Sequence, residues 1–172
     1  MIKGVQPGDV LAVRTSGFAA TMIRLGAALQ GKPDLSNHIA VADHWDAKGT
    51  LWCIEGRPGG VGWRDATDYL ASPWTLANVL QVKTDAQRDV VTAAMRALLG
   101  TPYDWAAIVG DGLDDLHLWD PVNGQVQGHV VCSALAAFGY DKAVLARPAG
   151  GERKVQPADW DQWVLTQAWR RP

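Results

Sequence analysis

Residues 37–55 read NHIAVADHWDAKGTLWCIE, and the way they pair decides how the rest of the chain is arranged. Asn37 to Trp45 alternates between apolar and polar positions, and Leu51 to Glu55 reads as a strand as well. Asp46-Ala47-Lys48-Gly49 between them is a turn sequence, so the stretch predicts an antiparallel pair. Side chains alternate faces along a strand. His38, Ala40 and Ala42 therefore share one face, and Ile39 and Val41 the other. Cys53 and Glu55 point one way, Trp52 and Ile54 the other. In a hairpin, Glu55 can fall near His38 on the same face, although the register itself is not written in the sequence. The small Ala40 and Ala42 beside His38 leave room for a helix or a substrate to approach.

Working outward, Gln6-Pro7-Gly8-Asp9 is a turn that leads into an apolar strand from Val10 to Arg14. Ser16 can cap a helix over about Phe18 to Leu29, closed by Gly31 and Pro33. A short strand fits within Gly59 to Trp63, a short helix Asp65 to Leu70, and a further strand Thr75 to Val82. Thr84 and Gln87 form a capping-box pattern. Val90, Val91, Ala94, Met95, Leu98 and Leu99 follow at helical spacing, and Gly100 and Pro102 end that helix. Tyr103 to Val109 and Val131 to Phe138 read as helices, and Pro157 opens a last helix through Trp163. Strands gather in the first half with helices around them. The expected class is α+β, a mostly antiparallel sheet packed against helices.

The chain of 172 residues is expected to form one domain over 1–172. With 48% hydrophobic and 20% charged residues it falls among ordinary globular proteins. A formal net charge of -2 and the lack of a basic stripe argue against nucleic acid as a partner. No apolar run approaches the roughly 20 residues of a membrane helix, so no transmembrane segment is expected. The opening MIKGVQPGDV lacks the apolar core of a signal peptide, so synthesis in a cytoplasm is expected. Cys53 and Cys132 alone do not make a disulfide framework. Nine tryptophans serve packing first; as groove walls they would suit a peptide or a sugar.

Cys132 stands at the start of an apolar helix kept slim by Ser133, Ala134, Ala136 and Ala137. Free cysteine is commonly a small buried hydrophobe. At a helix N-terminus the amide groups also stabilise a thiolate, and they can serve an oxyanion. His38 is either a hydrogen-bonded, half-buried strand residue or the base for such a thiol. Glu55 is either a solvent-facing strand end or the carboxylate that orients the imidazole. Other chemistries fail on spacing. His38, His44, Cys53 and His117 lack the close pairings of a zinc site. Asp111, Asp114 and Asp115 lack the alternate ligands of a calcium loop. Arg57 to Gly62 does not open a long helix after a strand, as a dinucleotide fingerprint would. No metal and no cofactor is expected.

Leu99-Gly100-Thr101-Pro102-Tyr103-Asp104-Trp105, followed downstream by Cys132-Ser133-Ala134-Leu135, resembles the "LGxPYxWG … DCSGLV" signature of NlpC-type papain-like cysteine peptidases. In ordinary members the histidine follows the cysteine. Here Ser36-Asn37-His38-Ile39-Ala40-Val41 comes first, behind Pro7-Gly8-Asp9-Val10. That order resembles the circularly permuted branch, which includes the lecithin:retinol acyltransferase-like proteins. The resemblance runs from about Gln6 to Tyr140. It implies a papain-like fold with Cys132 as nucleophile, His38 as base, Glu55 as the polar third member and Tyr103 beside the nucleophile, helping to hold the oxyanion. Two departures stand out: Ala134, where permuted relatives often carry Glu, and the long segment between Trp105 and Cys132.

The expected activity is that of a cysteine hydrolase, a peptidase or amidase acting on peptides of the bacterial cell wall. Its small size and lack of a leader would suit a phage-encoded or lysis-associated enzyme. Two alternatives stay open. One is a lipid acyltransferase or thioesterase using the same triad, with Trp105, Leu113, Leu116, Leu118 and Trp119 lining an apolar groove. The other is a non-catalytic binding or structural relative.

Overall fold

The computed structural model describes residues 4–29, 31, 35–103, 132–149, 155 and 157–166. Five strands make one sheet: β1 Val10–Val13, β2 His38–Trp45, β3 Leu51–Arg57, β4 Gly60–Asp65 and β5 Leu76–Ala77. Their order is β4-β3-β2-β1-β5, and every pairing is antiparallel. Among the described residues the helices are α1 Phe18–Leu29, α2 Thr67–Ala71, α3 Asp85–Ala97, α4 Cys132–Lys142 and α5 Pro157–Thr166. The molecule is an α+β protein with helices packed on an antiparallel sheet. No described helix is long and apolar enough to cross a membrane.

The β2–β3 hairpin forms where its sequence places it. Asp46 Oδ1 accepts from the amides of Lys48 and Thr50, both at 2.9 Å, and Gly49 turns the chain with φ 79°. Pairing runs from Trp45–Leu51 to Ala40–Glu55, with a bulge between Ala42 and His44. The bulge turns Asp43 inward, where Arg96 of α3 grips both its oxygens at 2.8 and 2.7 Å.

The two sheet faces bury different things. One presents Val10, Ala12, Ile39, Val41, Ile54 and Val61 to α3, α4 and α5. The other gathers Leu11, Val13, Ala40, Ala42, Leu51 and Cys53 with Tyr69 of α2. Helix α4 therefore covers the Ile39 and Val41 face, not the alanine face beside His38. The branched side chains give more apolar area to bury than alanine does. Gly139 lets α3 close on α4, since a Cβ there would stand 2.7 Å from Met95 Cε.

Helix α3 starts with the full capping box between Thr84 and Gln87. The strand expected over Thr75 to Val82 shrinks to Leu76–Ala77. Asn78 ends it by accepting the Val10 amide on its own side chain at 2.8 Å, and a turn from Asn78 to Gln81 follows. Tyr103, expected to open a helix, makes an extended bridge instead. The remainder of that expected helix, Val131 and the loop between them lie outside the described residues.

Candidate active site

His38 opens β2 and is clamped on both sides. Asp161 of α5, fully buried, accepts from the amides of Leu35 and Ser36 at 3.0 and 2.7 Å and from Ser36 Oγ at 2.6 Å. Asn37 ties to the backbone of Thr15 in both directions, at 2.7 and 3.1 Å. The imidazole is thereby fixed by its neighbours in sequence, and it is itself buried.

Glu55 follows from the register. It pairs with Ala40, two residues beyond His38, so the two side chains share a face as diagonal neighbours. His38 Nε2 lies 2.8 Å from Glu55 Oε2. Glu55 is only 1% exposed, and a carboxylate so buried needs several partners. Tyr69 supplies one, donating its hydroxyl to Oε2 at 2.9 Å. Arg57 supplies another, ion-paired through Nε to Oε1 while its other end donates to the Tyr69 hydroxyl.

Cys132 is the first residue of α4 and belongs to the opposite face of the sheet. It meets His38 because the β2–β3 ladder stops at Ala40–Glu55. The next amide on that side, Ile39 N–H, and the His38 side chain both lie within interaction reach of the Cys132 sulfur. With Nε2 on Glu55, Nδ1 is the ring nitrogen left for the sulfur. The next residue, Ser133, is tied by its hydroxyl to the Val155 carbonyl.

Gly56 makes this approach possible. A Cβ there would sit 3.1 Å from the Tyr103 ring and 3.5 Å from the Cys132 amide nitrogen. Tyr103 is brought in by the segment before it, which bonds to β4: Val61 N to Thr101 O at 2.8 Å, and Gly100 N to Val61 O at 2.9 Å. Its ring packs over Gly56 next to the start of α4.

The electrostatics form one coupled set. Burial opposes an imidazolium at His38, but the Cys132 thiolate and Glu55 outweigh it and raise the pKa to about 9. Burial also pushes the Cys132 thiol up; the charged His38 and the Ile39 amide outweigh that and hold it below its ordinary range. Glu55 is held low against its own burial by His38, Arg57 and Tyr69. These directions favour a thiolate–imidazolium pair backed by a carboxylate.

His38 lines a cleft of about 430 Å³ together with Thr15, Ser16, Asn37, Arg57 and Tyr103, among others, and the buried Cys132 lies behind it.

The structure thus brings Cys132, His38, Glu55 and Tyr103 to one end of the sheet. It adds Gly56, Arg57 and Tyr69. A glycine inside a strand was the available signal for Gly56, since it marks close approach of another backbone. His44 lies elsewhere, on Asp43 and edge-on to Trp63. His117, His129, the three loop aspartates and the residues of the expected acyl groove lie outside the described residues. Among those described, no three His, Cys, Asp or Glu side chains gather as a metal site.

No family model and no curated protein matches the chain. Among solved structures it is similar to the metalloprotein yiiX from Escherichia coli O157:H7, assigned to DUF1105, at 15% identity and a TM-score of 0.58. The match covers 86% of this chain and 71% of that one. At that identity the likeness concerns the fold alone.

Proposed function

We propose that the protein is a cysteine hydrolase of the circularly permuted NlpC type, papain-like in fold, that cleaves an amide bond in a cell-wall peptide. The observation that carries this reading is the juxtaposition of Cys132 with His38, which is hydrogen-bonded to Glu55 and lines an open cleft. The Cys132 thiolate attacks the carbonyl carbon. The Cys132 amide, which α4 itself does not use, donates to the oxyanion, and Tyr103 stands beside it. The imidazolium of His38 gives its proton to the leaving amine as the carbon–nitrogen bond breaks, leaving a thioester. Neutral His38 then takes a proton from water; the hydroxide adds to the thioester, and the acid leaves as the thiolate–imidazolium pair is restored. Glu55 keeps Nε2 protonated throughout, so Nδ1 is always the nitrogen that exchanges the proton.

The yiiX protein is called a metalloprotein, and that is said of yiiX alone. Incubation with purified peptidoglycan, read by mass spectrometry, tests the reading. Wild type should release fragments with new amine and carboxyl ends, and Cys132→Ala none. Transfer of acyl groups from lipid donors without any cleavage of wall peptides would replace the hydrolase by an acyltransferase.

A further inference from the structure

Glu55 creates a conflict that the triad alone does not resolve. Its negative charge favours the imidazolium of His38, yet the same charge disfavours a thiolate at Cys132. A carboxylate that strengthens the base therefore weakens the nucleophile, unless its charge is offset on the side away from His38.

Arg57 occupies that side. Its Nε pairs with Oε1, the oxygen that His38 does not use. Its terminal nitrogen donates to the Tyr69 hydroxyl, and that hydroxyl donates in turn to Oε2. The Tyr69 proton is thereby aimed at the carboxylate, because the guanidinium can only donate. The contacts reach both carboxylate oxygens, by hydrogen bonds at Oε2 and by the ion pair at Oε1. Arg57 is two residues beyond Glu55 on β3, so both side chains lie on one face and the contact costs no distortion of the strand.

We infer that Arg57 is a positioning residue that cancels the Glu55 charge felt by Cys132, so that the carboxylate supports His38 without suppressing the thiolate. The inference rests on Cys132 and His38 working as the reactive pair proposed above. With the half-exposed Arg57 in place the four groups sum to zero charge: thiolate, imidazolium, carboxylate and guanidinium. Without it they sum to minus one, and the last negative charge to form is the one disfavoured.

The test is the pH dependence of Cys132 alkylation by iodoacetamide in the full chain, resolved from Cys53 by peptide mass spectrometry. Arg57→Gln should move the acid-side midpoint up by about half a pH unit or more. Arg57→Lys should leave it near wild type. Glu55→Gln, which leaves Arg57 uncompensated, should move it down, and the double variant should return it toward wild type. A midpoint unmoved or lowered in Arg57→Gln overturns the inference. If that variant does not fold, a midpoint in Glu55→Gln that fails to fall overturns it equally. These outcomes are separate from failure of the parent reading, in which wild-type Cys132 would alkylate like an ordinary thiol, indifferent to His38→Ala.

Discussion

Cys53 and Cys132 are hidden to nearly the same degree, at 0% and 3% exposure, yet their surroundings drive them in opposite directions. Cys53 sits mid-strand on β3 among Ala42, Leu51 and Ala66, with the Arg64 carbonyl 3.4 Å from its sulfur. Burial pushes its thiol far up, and Glu55 pushes it further. Cys132 suffers the same burial but touches an imidazolium and a strand amide, and it is pulled down. Burial alone therefore says nothing about reactivity; what counts is whether the sulfur has a cation and a donor within reach. Both cysteines feel the Glu55 charge, and what Cys132 has in addition is His38 and the Ile39 amide.

Removing His38 should erase that contrast. With His38→Ala, alkylation of Cys132 at pH 6 should slow by about a hundredfold, because an ordinary thiol is almost wholly protonated there. Peptide mass spectrometry would then show the two cysteines labelling at similar, slow rates. A Cys132 that stays fast would mean that the helix end alone makes the thiolate.

Glu55→Gln should sharpen the contrast by a smaller step. The imidazolium loses the carboxylate that favours its charged form, so its pKa must fall. The NMR titration midpoint of His38 should drop from about 9, by about one unit. Activity would be lost from the alkaline side first, as His38 gives up its proton at a lower pH.

The smallest effect should come from the other cysteine. Cys53→Ala removes a buried sulfur from the core and should cost about 1 kcal/mol, a few degrees in Tm. The rate and pH profile of Cys132 alkylation should not change. A slower Cys132 in that variant would show that the alanine-side core also sets the geometry of the pair.

Much of this arrangement was legible because it is local. The Asp46–Gly49 turn, the Thr84–Gln87 capping box and Pro157 each act within a few residues, and each does so where the sequence reading put it. The His38–Glu55 meeting needed only an antiparallel hairpin and a plausible register. Strand β5 was over-read because the Asn78 side chain takes over a bond that the ladder would have made. The sequence did not say which face α4 covers; Ile39 and Val41 provide the apolar area that draws it in. Arg57 and Tyr69 were missed for another reason. Arg57 read as part of a glycine-rich loop and Tyr69 as part of a short helix, and only the folded course through β4 to α2 brings them together.

The His38–Glu55 bond closes a span of just 17 residues, within one hairpin, while the sulfur arrives on α4 from the far half of the chain. During synthesis on a ribosome the base and its carboxylate thus emerge together, long before the residue they serve. Until α4 docks, the imidazole has its carboxylate but no sulfur beside it. For the hydrolase proposed above, the chain would therefore lack its nucleophile until α4 has been made.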